Sequence, residues 1–400
     1  MKNTFKLILK IILWGALILL VLSGVQIVFL SLRYSPEYMT RELFMDLGNA
    51  DDYLTLPSRA LTASPHPFQF AVDTSKEALV QETFRSSAGI EDLDVFLEST
   101  GTWSFMVIQN DTILYERYFK GYQHDSMVTS FSVAKSFDSA LIGIAIDEGH
   151  IKSVNDPITD YLPELAERDP RFRDIQIRHL LMMASGLRYE PDRPLGMGDG
   201  TLTYTFDDLR HLALTETEVV EQPGTTFLYN NYNPLLLGMI LERATGQSVT
   251  AYLQEKIWDP IGMEYDGSWS LDSAETGFEK MESGINARPV DFAKFGRLYL
   301  NGGNWNGTQV MPADWVAVST QDNGLIQNAP IYYGYMWWGE KCTPESQDFL
   351  ALGNYGQYVY VSPAHDLIVV RNGETYGVES SGEEWGVWAE AFCKFAVALP

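Results

Sequence analysis

Ser132-Val133-Ala134-Lys135-Ser136-Phe137-Asp138-Ser139-Ala140-Leu141-Ile142-Gly143-Ile144-Ala145 is the stretch from which the rest of the chain can be read. Ala134, Phe137, Leu141, Ile144 and Ala145 recur at helical spacing and Gly149 supplies a stop, so a helix is expected from Ser132 to His150. Its first turn holds the only Ser-x-x-Lys in the sequence. Residues three apart share one helical face, so Ser132 Oγ and Lys135 Nζ can meet over a single turn. A serine hydroxyl becomes a good nucleophile when a neighbouring base takes its proton. Lys135 can be that base if its pKa is depressed, by desolvation among Phe131, Val133 and Phe137 and by the positive end of the helix. The backbone N–H of Ser132, at a helix start, is a ready oxyanion donor. Taken alone, the tetrapeptide is better explained by a capping serine and a solvated lysine.

Two downstream elements change that balance. Tyr229-Asn230-Asn231 precedes a helix expected from Pro234 to Ala244. A phenol beside a lysine can pass a proton to a leaving group, and the Asn231 amide can position substrate or Lys135. Further on, Gly353-Asn354-Tyr355-Gly356-Gln357 opens an apolar strand. Glycine there, Gly356 included, permits close approach of a substrate backbone, and the Gln357 amide can be a second oxyanion donor. Three such elements, in this order and widely spaced, suit a serine hydrolase with a lysine base.

Other chemistries fit poorly. There is no Gly-x-Ser-x-Gly elbow, and the six histidines show neither metal-ligand spacing nor a His-Glu-x-x-His helix, so neither metal nor cofactor is expected. The formal charge of −25 argues against nucleic acid as a partner. Cys342 and Cys393 are compatible with one bridge or with two free thiols. Tyr332, Tyr333, Tyr335, Trp337 and Trp338 can wall an acyl pocket, with core packing the expected role of most of them.

The N-terminus stands apart. Lys2, Lys6 and Lys10 precede an uncharged apolar run from Ile11 to Leu32, long enough to span a bilayer. The run continues past Ser23-Gly24 without a small-x-small cleavage pattern, so an uncleaved anchor is expected, its lysines in the cytoplasm and the remainder exported to the periplasm or exterior. The expected division is 1–35 for the cytoplasmic end and anchor, 36–95 for a connector, and 96–400 for the hydrolase domain.

Within that domain, 103–109 and 112–119 read as a hairpin, as do 358–361 and 367–370 around His365, expected to be exposed. Helices are expected at 177–184, 206–214, 249–257, 289–300 and from Glu383 to Ala398, and 191–200 reads as a mobile surface connector. Strands at both ends with helices between predict a mixed α/β (α+β) fold, an antiparallel sheet completed by both chain ends with a mostly helical insertion.

Together with Arg178-His-Leu-Leu-Met-Met-Ala-Ser-Gly186, Tyr229-Asn-Asn-Tyr-Asn-Pro-Leu-Leu-Leu-Gly238 and Asp291-Phe-Ala-Lys-Phe-Gly296, these elements resemble the serine β-lactamase and penicillin-binding-protein-like superfamily over about residues 100 to 400. The branch resembled holds class C β-lactamases, D-Ala-D-Ala carboxypeptidases, esterases and 6-aminohexanoate-dimer hydrolases. The resemblance implies a β-lactamase/transpeptidase-like fold, Ser132 as the acylated nucleophile, Lys135 as its base, Tyr229 as proton relay, and the amides of Ser132 and Gln357 as oxyanion hole. It also exposes a departure. Where the family commonly has Lys or His, this chain has the neutral Asn354, which offers no charge to a substrate carboxylate. The expected substrate is therefore a small ester or amide. β-Lactamase or D-Ala-D-Ala carboxypeptidase activity, or a non-hydrolytic sensor of β-lactams or cell-wall peptides, are the alternatives.

Overall fold

The computed structural model describes residues 2–33, 41, 48–192, 198–327, 329–343, 347–378 and 384–400. Its strands, in chain order, are β1 (Ser58–Leu61), β2 (Ala71–Val72), β3 (Thr102–Gln109), β4 (Thr112–Tyr118), β5 (Val128–Thr129), β6 (Gly267–Ser270), β7 (Ile285–Ala287), β8 (Asn304–Trp305), β9 (Thr308–Gln309), β10 (Ile331–Tyr333), β11 (Trp338–Glu340), β12 (Asp348–Gly353), β13 (Gln357–Ser362) and β14 (Leu367–Gly373). The longer helices are α1 (Lys2–Arg33), α2 (Glu77–Ala88), α3 (Ala134–Asp147), α4 (Tyr232–Thr245), α5 (Pro289–Leu300) and α6 (Glu384–Ala398).

Eight strands form the main sheet in the order β10-β11-β12-β13-β14-β3-β4-β2. β14 pairs antiparallel with β3, so strands from both ends of the domain meet in the middle of the sheet, as expected. Alternate residues along each strand face opposite sides. Met106, Ile108, Val359, Val361, Ile368 and Val370 face the core shared with α3 and α5. Phe105, Val107, Tyr358, Tyr360 and Val369 face α2 and α6. A sheet covered on both faces explains the unbroken apolar runs at 105–108 and 367–370. A smaller sheet, β1-β6-β7-β5, lies beside the largely helical insertion, and β8 and β9 form a separate ribbon.

The segment from 58 onward, expected as connector, is woven into these sheets: β1 pairs with β6 and β2 with β4, while Phe84 of α2 stacks on Phe395 of α6 at 4.0 Å. α1 is long and apolar enough over Ile8–Val25 to cross a membrane, and no residue of that stretch is buried.

Several expected boundaries move. The helix expected from Ser132 begins as a 3-10 turn, Phe131–Val133, and α3 ends at Asp147. Every residue from Ala134 to Ala145 is buried, because α3 runs through the domain centre rather than along its surface. The helix expected at 177–184 stops at Leu181, and Met183 then adopts a left-handed φ of 54°. The expected 249–257 helix changes at Gln254 into a π-turn. Within 191–200, residues 193–197 lie outside the described residues, and Asp199 and Gly200 open a helix, Asp199–Thr205, instead of a surface loop. Glu383 also lies outside them. His365 is half-buried, its Nδ1 2.9 Å from Ser362 Oγ. Cys342 and Cys393 form a disulfide that ties the chain beyond β11 to α6.

Candidate active site

Ser132 sits in the 3-10 turn that leads into α3, where preceding N–H groups have no helical acceptor. Phe131, just before it, has φ of +43°, a left-handed conformation that costs a non-glycine residue roughly 1–3 kcal/mol. Its ring is held between Tyr204 and Tyr355, with centroids at 6.4 and 5.2 Å. The strained turn leaves Ser132 partly exposed while Phe131 and Val133 are buried.

One turn on, Lys135 is 1% exposed, and its Nζ lies 2.8 Å from Ser132 Oγ and 2.8 Å from the Glu282 backbone oxygen. Desolvation lowers its pKa to about 8, against the opposing pull of Glu282 and Asp138. A free amine there can accept the Ser132 proton through its lone pair. The Glu282 carboxylate is engaged elsewhere, by Lys280 Nζ at 2.8 Å and by the Ser283 hydroxyl at 2.9 Å.

Tyr229 arrives on the segment before α4. Lys135 Nζ lies 5.0 Å from the centre of its ring. Burial raises the phenol's pKa, and an interaction with the Ser132 hydroxyl works against that rise. Thus the phenol stays protonated and can donate. Asn230 turns inward, donating to the Leu187 oxygen at 3.2 Å and accepting from the Tyr232 N–H at 2.8 Å. Asn231 instead lines the cleft and donates to Thr203 Oγ1 at 3.2 Å.

The third element is the β12–β13 turn. Asn354 is exposed and lines the cleft with Ser132 and Tyr229 on both sides of Ser132. Among the described residues its backbone N–H has no hydrogen-bond partner. Gly356 and Gln357 are not brought to the cleft. Gly356 has φ of 80° and lies against the buried Arg371 guanidinium, which donates to its oxygen at 2.8 Å. The Gln357 side chain is buried, its amide donating to the oxygens of Asn354 at 3.2 Å and Gly373 at 2.6 Å. The sequence reading missed Arg371, which also reaches Thr100 and Thr375 oxygens and so fixes this turn. It missed Glu282 too, whose backbone contribution leaves no sequence signal.

The cleft divides at Ser132. One lobe, about 820 Å³, is walled by Phe227, Tyr229, Trp338, Tyr376 and Trp385. The other, about 470 Å³, is more polar and includes Tyr189, Asp192, Thr201 and Asn231. Among the described residues neither lobe is lined by Lys or Arg, whereas each carries one carboxylate, Glu384 or Asp192. Of the aromatic cluster near residue 335, only Trp338 reaches the cleft; Tyr332, Tyr333 and Trp337 are buried.

The family model described as Beta-lactamase matches residues 96–381. The 6-aminohexanoate-dimer hydrolase of Paenarthrobacter ureafaciens is 28% identical over 310 residues, 70% of this chain and 75% of that protein. A solved structure from Bacillus anthracis, provisionally given the same enzyme name, superposes with a TM-score of 0.72 at 24% identity, covering 90% of this chain and 94% of the other. A penicillin-binding protein from Bacillus halodurans shares the fold at a TM-score of 0.58 and 16% identity, covering 74% and 98%.

Proposed function

Since the chain belongs to the beta-lactamase family of serine hydrolases, we propose that it cleaves a small ester or amide through an acyl-enzyme on Ser132. The observation that carries this reading is the 2.8 Å approach of a buried Lys135 amine to the Ser132 hydroxyl. Lys135 takes the hydroxyl proton as Oγ attacks the substrate carbonyl carbon. The oxyanion is held by the backbone N–H groups of Ser132 and Asn354. This second role passes from Gln357 to Asn354 because Asn354 lines the cleft and its N–H is uncommitted. Collapse expels the leaving group with a proton delivered through Tyr229, and water then releases the acid by the reverse relay.

The lining of the cleft favours a neutral or cationic substrate. A β-lactam or a D-Ala-D-Ala terminus carries a carboxylate, and with Asn354 neutral the described cleft offers it no Lys or Arg partner. The aromatic lobe suits an apolar acyl group. We further read α1 as a membrane anchor with the catalytic domain on the outer side, on the strength of its apolar length and the lysines that precede it.

The test is a panel of p-nitrophenyl esters, a chromogenic cephalosporin, D-Ala-D-Ala peptides and linear amide dimers, run on wild type and Ser132→Ala. Turnover of esters or amide dimers that vanishes in Ser132→Ala supports the reading. Acylation by the cephalosporin without turnover of any ester or amide would replace it with a sensor.

A further inference from the structure

Asp138 lies one helical turn beyond Lys135 on α3 and is completely buried. Among the described residues neither of its carboxylate oxygens has a hydrogen-bond partner. An unpartnered buried carboxylate is costly, so its presence one turn from Lys135 calls for a reason. The groups that face it are Lys135 from its own helix, Glu279 and Glu282 from the segment before β7, Tyr229 from the segment before α4, and Tyr333 from β10. The two neighbouring acids already have cations of their own: Glu282 pairs with Lys280, and Glu279 with Arg59. Asp138 is in no ion pair among the described residues, and the one cation coupled to it is Lys135.

We propose that Asp138 is a positioning residue for acylation, its ionised carboxyl stabilising the ammonium that forms when Lys135 takes the Ser132 proton. This rests on the reading of Lys135 as the base. In the step, the Ser132 Oγ–H bond breaks and its proton passes to the Lys135 lone pair. Oγ bonds to the substrate carbonyl carbon, and the carbonyl electron pair moves onto oxygen. Asp138 neither gains nor loses a proton over the cycle. It acts through charge, as the buried carboxylate does behind the histidine of a Ser-His-Asp triad. Burial, with the Glu282 and Glu279 charges adding to it, holds the Asp138 carboxyl well above the usual carboxylate range, and the Lys135 charge works against that rise, so the two titrate as a linked pair.

The experiment is the pH profile of kcat/KM for a p-nitrophenyl ester in wild type and in the isosteric Asp138→Asn. Removing the carboxylate lowers the proton affinity of Lys135. The acidic limb is therefore expected to move to lower pH by about one unit, while the plateau falls roughly tenfold or more because the forming ammonium has lost its partner. A structural role would lower the plateau and leave the limb in place, and an unmoved or upward-moving limb overturns the proposal. If Asp138→Asn does not fold, lysine-labelled wild-type protein answers the same question by NMR, with Lys135→Arg assigning the resonance. Two linked titration steps at Lys135 are expected, and a single step overturns the proposal. Failure of the underlying reading looks different: Ser132→Ala would then retain full activity, or Lys135→Arg would keep the wild-type rate.

Discussion

A Cβ placed on Gly353 would lie 2.3 Å from the backbone oxygen of Ser130, at the base of the turn that presents Ser132. The end of β12 therefore touches the 131–133 turn with no space for a side chain, and a backbone oxygen cannot rotate away. Gly353→Ala should force strand and turn apart, at an overpacking cost of about 1–3 kcal/mol. Displacing Asn354 relative to Ser132 should also slow acylation by roughly tenfold or more. Thermal unfolding and the rate of Ser132 labelling by an active-serine probe measure the two effects. A wild-type labelling rate would show that the close approach is irrelevant to the chemistry.

The Lys135 amine sets a second expectation. Desolvation lowers its pKa from 10.5 to about 8, so only a minority is free base at neutral pH and the acylation rate should climb with a midpoint near pH 8. Lys135→Arg, which stays charged, should abolish the climb. Stability follows the same shift. Between about 8 and 10.5 the unfolded chain holds the proton that the folded chain has lost, so this group's contribution to stability rises as pH rises through that window. Urea unfolding at pH 8 and 10 should show a steeper gain for wild type than for Lys135→Met.

The parts of the fold legible in the sequence are those whose pattern is strong and local. β3, β4, β13 and β14 carry apolar runs, and α5 has a clear stripe ended by Asn301. β10 and β11 are three residues each, and β12 opens on the buried Asp348, so no periodicity marked them. Ser132 and Lys135 were legible because a helix brings residues three apart together. Tyr229 and Asn354 were recognised by motif, and the fold supplies their proximity. The displacement of Gln357 comes from the hairpin: Gly356 turns back at φ of 80° and returns the chain to the buried β13. Some quoted segments serve the frame and not the cleft. Asp291 accepts the Glu264 N–H at 2.7 Å and pairs with the buried Lys294 at 2.9 Å, while Gly296 lets α5 lie against Val359. Asp291→Asn is expected to cost about 3 kcal/mol in chemical unfolding by leaving that buried lysine only its longer, 3.5 Å contact with Glu264.

His179, in another of those segments, makes an acid-sensitive joint. Its Nδ1 accepts the Gln176 N–H at 3.1 Å, and burial lowers its pKa from 6.5 to about 4. Between those values the unfolded chain binds a proton that the folded chain does not, so stability must fall as pH drops through the window. His179→Asn should be less stable at pH 7 yet lose less on going to pH 4.5. Equal losses in the two proteins, by urea unfolding, would place the acid sensitivity elsewhere.

Trp385 tests which part of the substrate the aromatic lobe holds. It stands 5.0 Å from Trp338 in the wall of that lobe, whereas Trp338 is the ring that stacks on Tyr229. Trp385→Ala should therefore enlarge the lobe while leaving the Ser132, Lys135 and Tyr229 constellation in place. If the acyl chain lies there, kcat/KM for p-nitrophenyl hexanoate should rise relative to the acetate by roughly tenfold, the scale on which a few methylenes are discriminated in an apolar pocket. The acetate itself should lose little, because its methyl group does not reach the removed ring. A uniform change across chain lengths would assign the lobe to the leaving group, and the same variant measured with a fixed acyl chain and leaving groups of different size would then show the discrimination.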